Sequence, residues 1–405
     1  MYDFETLVDR RGTGASKWEP IEREGRDAPL EDLVPLSVAD MEFIAPPEVR
    51  AALHRTVDHG VFGYQNSDEA YFDACKRWYV RRQNWEPQQE WLVNAQGVVQ
   101  ALCAAIMTFS APGEGVVIQE PVYYPFRLGT EAHGRRVVNS PLVESVAPDG
   151  TLRYDIDFAG LDECTRPADV KLMLFCNPHN PAGRVWTRDE VRRVAEICCA
   201  NDVLLISDEI HGDLIMPGHT LTSVMNLPEE LQRHAIVCTA PSKTFNQAGL
   251  MNSNIWIPNA EIRERFQSYM RCVVINGPSN FARTALIAAY NEAEGWLEEL
   301  IAYIEGNFRY LIDALSAEFP LMRWAPLEGT YLAWTDWRAY FGDDVDALEA
   351  FSTQRAHIAF DEGKMFGVGG AGFERWNLAC PRRVLERAVA RFIAAAKDDP
   401  HFAGK

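Results

Sequence analysis

The sequence predicts an α/β protein: a large domain with a mostly parallel central sheet and helices on both faces, plus a smaller α+β domain built from both chain ends. Three observations carry this. The middle of the chain alternates short β-branched runs with helical patterns, as a parallel sheet with crossover helices requires. The 405 residues include 27 Gly and 23 Pro, with 47% hydrophobic and 24% charged residues, which suits a globular protein rather than a disordered or fibrous one. The two flanks read differently from the middle, which divides the chain into 1–45 (an arm joining the small domain), 46–290 (the large domain) and 291–405 (the small domain).

Taken in order, residues 1–45 read as a mostly irregular arm, with Pro20, Pro29, Pro35, Pro46 and Pro47 at and around it. Trp91 to Asn94 is predicted as a strand, followed by Gly97 and an apolar-periodic helix from Val98 to Phe109. Val116 to Gln119 is a strand closed by Glu120-Pro121. Val170 to Cys176 is a strand closed by Asn177-Pro178-His179-Asn180-Pro181. Thr187, with Glu190 three residues on, forms a capping box for a helix that buries Val191, Val194, Ala195 and Cys198. Val203 to Ser207 and Ala235 to Thr239 are two more strands. The C-terminal flank holds a long helical pattern from Glu292 to Phe319, short strands, and a closing helix from Arg383.

Charge narrows the function. Lys and Arg number 39 and Asp and Glu 58, a net charge of −19. That repels phosphate backbones and anionic membranes, and no dense basic block offsets it. Nucleic acid and membrane are therefore excluded as partners, and any bound anion must be caught locally. No apolar run approaches the ~18 to 20 residues of a membrane span. The segment MYDFETLVDRRG is charged from Asp3 onward and lacks the apolar stretch of a signal peptide, so a cytoplasmic protein is expected. Nine cysteines form no zinc-type pairing, and Cys198 and Cys199 are adjacent within a helix. Buried free thiols and no metal site are the expectation.

Ligands of open parallel sheets bind beyond the carboxyl ends of the strands. Gly97-Val98-Val99 opens a helix whose free N–H groups can hold a phosphate, although a plain glycine turn has the same sequence. Asn177 sits in a turn fixed by Pro178 and Pro181. Asp208 ends a largely apolar strand, where a buried carboxylate needs a cation or donor. Lys243 in Ser242-Lys243 is a lone lysine amid small, apolar and polar neighbours.

Together with Tyr123 and Arg375, these residues resemble the pyridoxal-phosphate enzymes of fold type I, the aspartate aminotransferase superfamily. Asp40-Met41, Phe62-Gly63-Tyr64, Pro121-Val122-Tyr123, Cys176-Asn177-Pro178, Asp208-Glu209-Ile210-His211, Ser242-Lys243-Thr244-Phe245-Asn246 and Thr330-Tyr331-Leu332-Ala333-Trp334 resemble its cystathionine β-lyase-like (C–S lyase) branch, over nearly the whole chain. The resemblance implies pyridoxal 5′-phosphate as cofactor. Lys243 would bind its aldehyde and, once displaced by substrate, take the Cα proton. Asp208 would pair with the pyridinium nitrogen, Asn177 would donate to the phenolic oxygen, and Tyr123 would stack on the ring. Gly97, Val98 and Ser242 would take the phosphate, with Tyr64 reaching in from a second subunit of a homodimer. Arg375 would clamp the amino-acid carboxylate, with Asp40 also on the substrate side. His211 stands where many aminotransferases of this fold have tyrosine. It is either a cofactor neighbour or a satisfied histidine packed at the sheet end.

Some positions depart from the pattern. Met251 stands where several aminotransferases have a phosphate-binding arginine, as the lyase branch also does without. Gln65, Gln247 and Glu362 replace a small hydroxyl residue, an aliphatic and a proline usual in that branch. They either reshape the pocket for a bulkier, more polar conjugate or face solvent or each other. The resemblance favours a C–S β-lyase acting on a cystathionine-like cysteine S-conjugate. The alternatives are a class I/II-type aminotransferase and a specialised-metabolism enzyme acting on a bulky cysteine S-conjugate. A non-catalytic descendant would have no use for Lys243 and Asp208 together.

Overall fold

The computed structural model describes residues 2–19, 34–273, 277–342 and 344–404, so Pro20 and Pro29 of the arm lie outside the described residues. The large sheet contains β1 (Leu92–Ala95), β2 (Gly115–Ile118), β3 (Arg136–Asn139), β6 (Val170–Cys176), β7 (Leu204–Asp208), β8 (Ala235–Thr239) and β9 (Ser253–Trp256). A separate hairpin pairs β4 (Val143–Val146) with β5 (Leu152–Asp155). The order across the large sheet is β1-β9-β8-β7-β6-β2-β3, and only β9 runs against its neighbours.

Side chains alternate between the two faces, as the period of two in a strand demands. Leu172, Leu174, Ile206 and Ile236 join a core with the helices Val98–Phe109 and Ala260–Cys272. Met173, Phe175, Leu205 and Val237 join the opposite core, under the helix Arg188–Ala200. The capping box of that helix is present as read, with Thr187 and Glu190 each bonding the other's backbone. The mostly parallel sheet covered on both faces is thus as the alternation predicts.

The second sheet has the order β10-β11-β13-β12, from β10 (Arg323–Trp324), β11 (Leu332–Asp336), β12 (Asp361–Glu362) and β13 (Phe373–Asn377), all antiparallel. The arm reaches it through a bridge between Pro35 and Ala359.

Several boundaries differ from those expected. The strands expected at Trp91–Asn94, Val116–Gln119 and Val203–Ser207 are each displaced by one residue, to Leu92–Ala95, Gly115–Ile118 and Leu204–Asp208. The pattern from Glu292 to Phe319 belongs to two helices, Asn280–Glu292 and Glu294–Glu318, broken at Ala293. The nearest glycine, Gly295, lies inside the second helix, and the apolar period runs through the break. Two helices for which no element is predicted above, Pro47–His59 and Glu69–Gln83, precede β1. The thiols are not uniformly buried: Cys103, Cys164 and Cys199 are half-buried, and Cys272 is exposed at the end of its helix. Among the described residues no helix is long and apolar enough to cross a membrane.

Candidate active site

The carboxyl ends of the parallel strands deliver most of the site. β8 is followed by a one-turn helix, Pro241–Thr244, in which proline takes an early position where no N–H is needed. This turn presents Ser242 and Lys243. Lys243 Nζ donates to the carbonyl of Ala39 at 2.6 Å. Burial pushes its amine down to about 8, against the opposite pull of Asp40 and Asp208 and with Arg375 acting in the same direction as burial.

Asp208 ends β7, buried, and its Oδ1 accepts the Ile210 N–H at 3.1 Å. Burial pushes its carboxyl up to about 7, while the Ile210 bond and Lys243 oppose the rise. Among the described residues no lysine or arginine lies within ion-pair distance of it. A buried carboxylate of this kind suits a protonated ring nitrogen. This is the arrangement's clearest fit to pyridoxal phosphate.

Asn177 follows β6 and is wholly buried, with Nδ2 donating to Thr222 O at 2.9 Å and Oδ1 accepting from Trp186 N at 3.4 Å. One amide hydrogen therefore stays available. Tyr123 is half-buried, anchored by its N–H to Asn180 O at 2.9 Å, and lies within electrostatic reach of Arg375 and Asp208. Gly97 precedes the helix Val98–Phe109, whose start carries no side-chain cap, and a Cβ on Gly97 would meet nothing within 4 Å. The first N–H groups of that helix are thus open to an anion.

His211 is buried and packs edge-on against Tyr331 at 5.5 Å, with Nδ1 lacking a partner. Burial, then Lys243 and Arg375, hold its pKa well below the ordinary value, so it is neutral. The reading of a satisfied histidine does not describe it. Tyr64 is fully exposed and is not gathered with the others.

The residues expected on the substrate side come from the small sheet and the arm. Arg375 lies on β13 at 1% exposure, with Phe366 beneath it at 5.0 Å. Its Nη1 donates to Asn180 Oδ1 at 3.1 Å, its Nη2 pairs with Asp361 Oδ2, and its Nε has no partner. Asp40 is committed to Arg10 at 2.7 Å. Sequence reasoning missed Asp361 and Asn180 as partners of Arg375, and Tyr331, whose hydroxyl donates to Ala39 O at 2.9 Å. Asn180 and Tyr331 lay inside quoted motifs, whereas Asp361 is linked to Arg375 only by the β12–β13 register.

Of the three departures, Gln65 turns its amide back on Gly63 O and Tyr64 O, at 3.4 and 3.2 Å. Gln247 is buried with Nε2 unpartnered, and Glu362 is half-buried with its carboxyl raised by burial. Among the described residues no group of three His, Cys, Asp or Glu is placed to hold a metal ion.

A lysine, an unpaired carboxylate and an open helix start at the carboxyl ends of the strands define a class. The chain belongs to the aminotransferase class I and II family, whose model matches residues 31–392. Within it the chain lies in the cystathionine β-lyase-like branch. Cystathionine beta-lyase PatB of Bacillus subtilis is 37% identical over 393 residues, covering 97% of this chain and 99% of that protein. Protein MalY of Escherichia coli is 33% identical over 400 residues, covering 98% and 99%. The crystal structure of cystalysin from Treponema denticola, which contains pyridoxal 5′-phosphate, matches with a TM-score of 0.93 at 41% identity, covering 98% of this chain and 99% of that one. The chain is therefore an enzyme of this pyridoxal-phosphate-dependent carbon–sulfur lyase group.

Proposed function

We propose that this enzyme is a C–S β-lyase that cleaves a cystathionine-like cysteine S-conjugate to a thiol, pyruvate and ammonia. The observation that carries the proposal is the pairing of Lys243, its amine pushed down to about 8, with the buried Asp208 that lacks a counter-ion. When bound, pyridoxal phosphate supplies an electron sink for the pair left at the substrate Cα. Asp208 would hold the ring nitrogen protonated, Asn177 would donate its remaining amide hydrogen to the phenolic oxygen, and Tyr123 would cover a ring face. Gly97, Val98 and the Ser242 hydroxyl would hold the phosphate. Lys243 is basic enough to take the Cα proton and neutral in a useful fraction near pH 8. Arg375 would fix the α-carboxylate through its free N–H groups, which aligns the Cα–H with Lys243. Loss of the thiolate from Cβ then leaves a three-carbon fragment that hydrolyses to pyruvate and ammonia.

The working unit in this reading is a cytoplasmic homodimer. Tyr64 projects fully exposed beside Phe62, which stacks on Phe281 at 5.5 Å, and Val57 and Val61 are also exposed nearby in the chain. A second copy would cover this apolar surface and receive Tyr64 at its phosphate. Incubating the purified holoenzyme with L-cystathionine, then measuring pyruvate, ammonia and free thiol, tests the reaction. Equal amounts of the three are expected. A 2-oxo acid that keeps the whole side chain would instead mean amino-group transfer.

A further inference from the structure

We infer that Asp361 is a positioning residue for carboxylate recognition, and that its one oxygen Oδ2 ties Arg375 and the N-terminal arm into a single unit. The inference rests on the reading of Arg375 given above. β12 and β13 set Asp361 directly opposite Arg375. A guanidinium at 1% exposure needs a counter-charge, and Asp361, itself buried, supplies it. The pairing leaves the arginine able to bind more. Of the five N–H donors of a guanidinium, Asp361 and Asn180 each take one and Nε has no partner, so enough remain for a bidentate carboxylate. Asp361 thus fixes the plane of the fork without occupying it.

The same Oδ2 accepts the Val38 N–H at 3.2 Å. Val38 has φ 49°, a left-handed conformation that a β-branched residue adopts only when its surroundings over-determine it. Here Asp361 holds its N–H, and Asn377 Nδ2 donates to its carbonyl at 2.7 Å. The next carbonyl, Ala39 O, receives both Lys243 Nζ and the Tyr331 hydroxyl. The strap from Val38 to Asp40 therefore runs from the partner of the carboxylate-reading arginine to the lysine. Loss of Asp361 releases both the arginine and the strap.

Charge and position are separable at this residue. One oxygen makes both bonds, so the single carbonyl oxygen of asparagine can replace it, whereas glutamate keeps the charge but displaces the oxygen by a methylene. The test compares Asp361→Ala, Asp361→Glu and Asp361→Asn holoenzymes. The readouts are KM and kcat for L-cystathionine, the L-alanine dissociation constant from visible absorbance, and hydrogen–deuterium exchange across 36–44. The alanine and glutamate variants should raise KM and the L-alanine constant at least tenfold, raise KM by a larger factor than they lower kcat, and speed exchange of the strap at least tenfold. Asparagine keeps one acceptor oxygen but not the charge, so it should return strap exchange to within threefold of wild type while KM stays raised. If the alanine variant does not fold, the glutamate variant carries the comparison. Wild-type KM and exchange in either, or an asparagine variant whose strap exchanges as fast as the alanine variant's, overturns the inference. Arg375→Ala runs alongside: an unchanged KM there defeats the reading of Arg375, while strap exchange still reports on Asp361.

Discussion

The two halves of the site are assembled in different ways. Asn177, Asp208 and Lys243 sit at the ends of β6, β7 and β8, three adjacent strands, so each is placed by a short apolar run that precedes it in sequence. Arg375, Asp361 and Val38 come from two strands of another sheet and from an arm more than 300 positions away, joined by side-chain bonds. The first half is organised by local sequence and the second by tertiary register. In the proposed reading the difference also divides the chemistry: the large-sheet half would hold the cofactor, and the small-sheet half would read the substrate.

Substitutions can break or sharpen that division. The largest effect is expected from Lys243→Ala, which in the proposed reading removes both the covalent anchor and the base. Turnover should fall by about 10³-fold or more, and borohydride should no longer fix cofactor to the chain, as read by intact mass. A reducible attachment surviving in that variant would show that another residue is the anchor. Next comes Arg375→Ala, expected to lower kcat/KM for amino-acid substrates at least tenfold, from the roughly 2 to 5 kcal/mol lost when a buried charged contact is broken. Steady-state kinetics on the cofactor-saturated enzyme measures it.

Asp208→Asn should act in opposite directions on binding and stability. The folded carboxyl titrates at about 7, well above the 3.8 expected when unfolded, so ionising it costs the cofactor-free fold progressively from pH 4 to pH 7. Asparagine avoids that cost. The cofactor-free variant should gain stability over wild type at pH 8, by at most about 4 kcal/mol, and little at pH 4. Chemical denaturation at the two pH values checks this, and equal gains at both would contradict the burial argument. The smallest effect is expected from Gln247→Ile. Removing an unpartnered buried amide should stabilise the cofactor-free protein by about 1 kcal/mol, seen as a higher Tm. A lower Tm would mean that the amide has a partner in the assembled enzyme.

Legibility in the sequence follows the same division. The strand β6 and its Asn-Pro turn, the strand β8 before Ser242-Lys243, and the capping box at Thr187 were readable because each is a local pattern. Asp208 was readable as a buried carboxylate in need of a partner, although its strand ends one residue later than expected. The break at Ala293 was not readable, since the apolar period continues across it. Nor was Asp361: an acidic residue in a two-residue edge strand has no periodicity, and only the register opposite Arg375 gives it meaning. Asp40 was named as a substrate-side residue, yet its carboxylate is engaged by Arg10, a partner thirty positions upstream that no motif indicates.

The division between the halves is tested most directly by measuring the pyridoxal phosphate dissociation constant of Asp208→Asn and Arg375→Ala beside the wild type. The account predicts at least a tenfold weaker constant for Asp208→Asn and a value within threefold of wild type for Arg375→Ala. Cofactor binding lost in Arg375→Ala, or untouched in Asp208→Asn, would contradict it.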